Sequence, residues 1–184
     1  PSRLVGSEMC IRDRIKSISS PGPSLIGLID PDEKNQDFLD VQLNYINENQ
    51  YCAVFVGGSL FMDSKFDKRI DILRSKTKLP LISFPSSSSH IHKKFDAILF
   101  LSLISGRNPQ YLIGEHINSA PIIHSLGLES IPVGYILLDG GGRSSVEVMS
   151  NTRSLPMEKV DIIIAHALAS AYLGHKFIYL ECGS

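Results

Sequence analysis

Three short stretches combine residue types that can do chemistry: Asp30-Pro31-Asp32, Gly57-Gly58-Ser59, and the final run of Glu181, Cys182, Gly183 and Ser184. Two carboxylates flanking a proline offer hard oxygen ligands to a divalent cation such as magnesium, which shares its shell with water and substrate phosphates. The same spacing suits a structural use, with Asp32 capping a helix and Asp30 closing a turn. Paired glycines followed by a serine let the backbone approach an anion and add a hydroxyl as donor or metal ligand, or they merely turn the chain. Glu181 follows the apolar run Phe177, Ile178, Tyr179 and Leu180, so its carboxylate must find a partner or shift its pKa. It could serve as general base to a hydroxyl, or sit at a wetted rim.

Other candidates have plainer readings. Residues 86–89 are a serine run best read as a solvated loop, and 140–142 are glycines that could clamp a ligand or turn the chain. His90 and His92 have no nearby partner at zinc-like spacing, and His116, His124 and His166 fall on predicted helices as surface or satisfied positions. Ala165, Ala167, Ala169, Ser170 and Ala171 form a face of small residues. Close packing of helix on sheet is its default use, ahead of an oligomer contact or a lipid groove.

The elements that must position these residues alternate in type. Apolar strands are predicted at 24–29, 53–56, 79–84, 97–101, 134–138 and 177–180, with helices at 38–46, 66–74, 110–126 and 157–173. No long helix follows the third strand, and 143–156 reads as a polar connection. Each strand closes on Asp, Gly, Ser or Glu, the pattern of a parallel sheet with right-handed crossovers whose ligands sit beyond the strand ends. The first strand is not followed by a Gly-x-Gly-x-x-Gly turn, which moves the reading from a doubly wound dinucleotide fold to a TIM barrel, here with six strands of eight. Residues 1–14 show no sustained period and are set apart as extraneous to the domain, which takes in 15–184.

Composition narrows the class. The chain has 184 residues, 43% of them hydrophobic, and a net charge of −1 with the signs interspersed. That is enough for one core and offers no basic face for nucleic acid. The apolar runs fall well short of the roughly 20 residues of a membrane span. Three scattered cysteines fit a reducing cytoplasm, with Cys182 a bystander thiol.

Taken together, LIDPD at 28–32, VGGS at 56–59, FPSSS at 84–88, NPQYLIGEH at 108–116, GYILLDGG at 134–141, VEVMSNT at 146–152 and YLECGS at 179–184 resemble the geranylgeranylglyceryl phosphate synthase family. That family includes the bacterial heptaprenylglyceryl phosphate synthases. The resemblance implies a TIM barrel that joins a polyprenyl diphosphate, geranylgeranyl diphosphate above others, to sn-glycerol 1-phosphate. The product is an ether, with diphosphate released and magnesium as cofactor. It implies that Asp30 and Ser59 bind the metal, that Tyr179, Glu181, Gly183 and Ser184 form the glycerol-phosphate loop, and that Glu181 is the catalytic carboxylate. A cytoplasmic enzyme, homo-oligomeric when full length, is the expectation.

The chain departs from the family pattern in two places. Glu33 displaces the lysine expected directly after Asp-Pro-Asp, so Lys34 is assigned no role, and the two β-α units that follow YLE-x-GS in the family are absent. Two open sheet edges and an exposed core are therefore expected. Two other functions remain open on the same fold: a phosphosugar isomerase or lyase, and a noncatalytic phosphate-binding barrel.

Overall fold

The structure, a computed structural model, describes residues 11, 13, 23–61 and 63–182. Six strands form one sheet: β1 (Leu25–Ile29), β2 (Tyr51–Val56), β3 (Leu81–Ser83), β4 (Ala97–Leu103), β5 (Glu129–Leu137) and β6 (Phe177–Glu181). Every neighbouring pair is parallel, and the order in space is the order in sequence. A doubly wound sheet reverses its order at a switch point, whereas a barrel winds on in one direction. The sheet is thus six strands of an incomplete TIM barrel.

The longer helices on its outer side are α1 (Leu39–Glu48), α2 (Phe66–Lys76), α3 (Glu115–Leu126) and α5 (Val160–Tyr172), with a short α4 (Ser145–Ser150) between β5 and α5. Successive strand residues face opposite sides, which separates two cores. Ile29, Val54, Val56 and Leu81 pack outward with Leu43 and Ile46 of α1 and Ile70 and Leu73 of α2. Ala53, Ile82, Ala97, Leu99, Ile131 and Val133 pack inward, joined by Phe55, Phe84, Phe177 and Tyr179.

Local chemistry accounts for the departures from periodicity. Asp32 accepts a hydrogen bond from the Lys34 amide and starts a 3-10 helix, Glu33–Phe38, ahead of α1. Within the polar connection, Ser144 and Glu147 form a reciprocal capping box that starts α4. The helix expected over 110–126 opens with a π-helical turn, Gln110–Gly114, and carries Pro121, which cannot donate to the helix ladder. Only a 3-10 turn, Ser88–His90, lies between β3 and β4, so the outer face of β4 is left without a long covering helix of its own.

The small-residue face of α5 packs closely at Ser170, which is fully buried, and at Ala167, which joins Ile104, Ile136 and Leu138. The rest of that helix presents Val160, Ile164 and Leu168 to the outside. Leu28 on β1, which lines the cavity described below, and Leu180 on β6 are 53% and 55% exposed. Ile11, in the segment set apart as extraneous, packs on the inward core, and its amide donates to Glu129 at 2.7 Å.

Arg69 of α2 is 3% exposed and grips Asp63 with both nitrogens, at 2.8 and 2.7 Å, while also donating to Gln36 at 3.2 Å. This pair braces the loop between Ser59 and α2. The Arg69 hydrogen bonds pull the Asp63 carboxyl down to about 2. Because the folded value is depressed, the pair's contribution is complete above the unfolded value of about 4 and is lost as pH falls through the folded one. The melting-temperature difference between wild type and Asp63→Asn should be constant above about pH 5 and shrink steadily in more acid solution. A difference that stays flat throughout the acid range would show that the ion pair contributes nothing through its charge.

Candidate active site

Parallel pairing brings the strand ends to one rim, and a cavity of about 870 Å³ opens there. It is lined by Asp30 after β1, Gly57, Gly58 and Ser59 after β2, Ser86 and Ser87 after β3, Tyr135 on β5, and Tyr179 and Glu181 on β6. The described site residues predicted from sequence, Asp30, Ser59, Tyr179 and Glu181, are therefore brought together. Gly183 and Ser184 lie outside the described residues.

The two carboxylates of Asp30-Pro31-Asp32 divide their work. Asp32 is 2% exposed and caps the 3-10 helix with an oxygen 3.2 Å from the Lys34 amide. Asp30 takes the turn position, one oxygen accepting from the Asp32 amide at 3.2 Å and the other lying 3.6 Å from the Lys34 ammonium. The structural use of this spacing is thus realised, and Asp30 still presents a partly exposed carboxylate to the cavity. Gly58 packs directly on that carboxylate, where any β-carbon would overlap it. Lys34, assigned no role above, lines the cavity and is the cation nearest Asp30.

Among the described residues no group of three or more His, Cys, Asp or Glu could hold a metal alone. The donor set at Asp30 and Ser59, one carboxylate and one hydroxyl, instead fits a hard cation that completes its shell with water and substrate phosphates.

On β6, Tyr179 and Glu181 are two residues apart and share the inward face. The Glu181 carboxylate lies close enough to the Tyr179 hydroxyl to act on its ionisation. Tyr135 stands opposite Tyr179 in register, with ring centroids 5.3 Å apart, and Phe84 meets the Tyr179 ring at 5.1 Å. Burial, reinforced by the negative Glu181, pushes both phenols above their ordinary value, Tyr135 the further. Both therefore remain neutral donors at ordinary pH. Tyr135 escaped the sequence reading because its place depends on cross-strand register.

The cavity continues past the rim into the layer left open between β3 and α3. Phe61 and His90 line one side, and Ile98, Phe100, His116 and Ser119 the other. Within the predicted solvated serine run Ser89 is exposed, but Ser86, Ser87 and Ser88 are half-buried, with the Ser88 amide donating to Glu115 at 3.1 Å and Ser86 pairing with His90 at 3.0 Å. The His90 ring lies 4.3 Å from that of Phe61. Of the two readings given for His116, surface or satisfied, the second holds: it is buried, with Ser102 as its partner at 3.0 Å and the Phe100 ring at 4.4 Å. Burial holds both imidazoles below the usual histidine range and hence neutral near pH 7. Cys182 is exposed at the rim.

Residues 22–184 match the PcrB family. The geranylgeranylglyceryl phosphate synthase of Flavobacterium johnsoniae is 42% identical over 175 residues, covering 95% of this chain and 72% of the relative. That of Thermofilum pendens is 34% identical over 180 residues, with 95% and 70% covered. Among solved structures, wild-type GGGPS from Thermoplasma volcanium aligns with a TM-score of 0.86 at 26% identity, over 96% of this chain and 70% of that one. The (S)-3-O-geranylgeranylglyceryl phosphate synthase of Thermoplasma acidophilum, in complex with sn-glycerol-1-phosphate, aligns with a TM-score of 0.82 at 28% identity, over 96% and 71%.

The tyrosine pair offers a direct check on the rim. In an alkaline titration followed by phenolate absorbance, Tyr135→Phe and Tyr179→Phe should each remove a step that occurs above the ordinary tyrosine value of about 10. Loss of an ordinary, early step in either variant would show that its phenol is not buried beside Glu181.

Proposed function

The chain belongs to the PcrB family, and from that premise we propose that it is a prenyltransferase joining a polyprenyl diphosphate to sn-glycerol 1-phosphate. The relatives' names make geranylgeranyl diphosphate the preferred donor. The observation that carries this reading is the continuity of the cavity, which runs from a polar rim into an apolar groove. A reaction between a glycerol phosphate and a long prenyl diphosphate needs both characters side by side. At about 870 Å³ the cavity stands high in the range of roughly 300–1,000 Å³ usual for small-molecule sites. Family membership sets aside the isomerase or lyase alternative.

In the proposed reaction a glycerol hydroxyl oxygen attacks C1 of the prenyl chain while the bond from C1 to the diphosphate oxygen breaks. The hydroxyl proton passes to the Glu181 carboxylate, and diphosphate leaves with the bonding electron pair. Tyr179, whose hydroxyl lies beside Glu181, would orient the carboxylate toward the nucleophile. Tyr135 stays protonated and adds no competing anion. Gly183 and Ser184 complete the glycerol-phosphate loop in this reading, while Phe61, Phe100 and Ile98 give the prenyl tail an apolar bed. Asp30 and Ser59 would hold Mg2+, whose charge, when bound, stabilises the departing diphosphate. Lys34 lies close enough to Asp30 to reinforce that charge.

Among the described residues no helix is long and apolar enough to cross a membrane. A cytoplasmic setting and a homo-oligomeric full-length form belong to the same proposal.

Glu181→Gln should reduce turnover about 100-fold, the scale of general acid-base contributions, with glycerol-phosphate saturation little changed. A wild-type rate would remove Glu181 from the mechanism. Asp30→Asn should lower turnover and move the magnesium titration to higher concentration, and superimposable titration curves would sink the metal assignment.

A further inference from the structure

Behind the cavity a run of four polar side chains crosses the layer between the sheet and helices α3 and α5. His116 Nε2 lies 3.0 Å from Ser102 Oγ on β4, which lies 3.1 Å from His175 Nε2 in the turn before β6. His175 Nδ1 in turn lies 2.9 Å from Ser170 Oγ and 3.1 Å from the Ser170 carbonyl oxygen. The strand register gives this run its meaning. Ser102 stands opposite Gly134 on β5, and Gly134 stands opposite Ile178 on β6. The bond from Ser102 to His175 therefore passes over the middle strand and ties β4 to the entry of β6. Gly134 makes the passage possible, because a β-carbon there would run into the Ser170 side chain.

A carbonyl oxygen only accepts, so His175 Nδ1 donates to Ser170. Ser102 has one proton, so it donates to one of its two histidine nitrogens and accepts from the other. Burial lowers the pKa of His116 and keeps that ring on its neutral side. Such a polar run in an otherwise apolar layer is costly when half satisfied and geometrically demanding when complete.

Among the described residues β6 has one strand neighbour, β5, and β6 carries Tyr179 and Glu181. We propose that His175 is a positioning residue that, through Ser102, holds β6 and its two rim side chains in register against the α3 wall of the cavity. Its catalytic consequence rests on the prenyltransferase reading, but the tether itself does not.

The test follows amide hydrogen exchange strand by strand in the full chain, with sn-glycerol 1-phosphate titrated in parallel. His175→Leu, which keeps the bulk and removes both nitrogens, should speed exchange in β6 about fivefold, the factor a typical hydrogen bond contributes, while the β1–β2 ladder at the opposite edge stays unchanged. Ser102→Ala should do the same, and the double variant should exchange no faster than the faster single one, because both remove one link. His175→Gln, whose amide can reach Ser102, should restore wild-type exchange. Ser102→Ala, the smaller change, carries the test alone where His175→Leu does not fold. Unchanged β6 exchange, acceleration of all strands alike, or additive effects in the double variant would overturn the tether. Affinity for sn-glycerol 1-phosphate should fall by a similar factor in His175→Leu and recover in His175→Gln. Affinity unchanged while β6 exchange rises would overturn the positioning role. A wild-type protein that fails to bind sn-glycerol 1-phosphate would instead refute the prenyltransferase reading, and the exchange pattern would still decide the tether.

Discussion

Parallel pairing in strict chain order is the constraint on which the rest of this structure depends. Once β1 to β6 run side by side in one direction, their carboxyl ends share a rim and the residues that follow them are brought together however far apart they lie in sequence. Asp30 and Glu181 meet one cavity for that reason. The same pairing imposes an inner and an outer face on each strand, so Tyr179 and Glu181 turn inward together while Ile178 and Leu180 turn out. The chemistry proposed at the rim is a property of the sheet before it is a property of any loop.

The second determinant is an omission. Between β3 and β4 the chain makes a single 3-10 turn where a barrel ordinarily places a long helix, and the cavity extends into the layer thus left open. The rim would suit a small phosphate compound, and the opening behind it adds an apolar groove bounded by Phe61 and Phe100. In the proposed reaction, a connection too short to cover its strand would leave the room that a prenyl tail needs.

The alternation of strands and helices was readable from the sequence because it rests on local periodicity, and the lack of a long helix after the third strand was visible for the same reason. Asp30, Ser59 and Glu181 were legible as candidates because each stands at or shortly after the end of a predicted strand, and the resemblance supplied the roles expected of them. What escaped depends on pairing. Tyr135 becomes a rim residue only through its register with Tyr179, and His116 becomes buried only because α3 lies against Ser102. The helix Ser145–Ser150 carried a legible sign in Ser144-x-x-Glu147, passed over within a polar stretch. Lys34 was set aside because it stood one residue out of place, yet a 3-10 turn after Asp32 has a different rise from an α-helix and returns its ammonium toward Asp30.

The wall formed by α3 differs mechanically from the rim. It begins with a π-helical turn and carries Pro121 inside, so part of its backbone ladder is widened and part is missing. The strand ends, by contrast, are held by a continuous ladder and by the packing of Phe84 on Tyr179. A ligand seated across both would find its head gripped by stiff material and its tail lying along a yielding one. Under the proposed function, such a division would favour strict recognition of the polar group and tolerance toward the length and bends of the hydrocarbon.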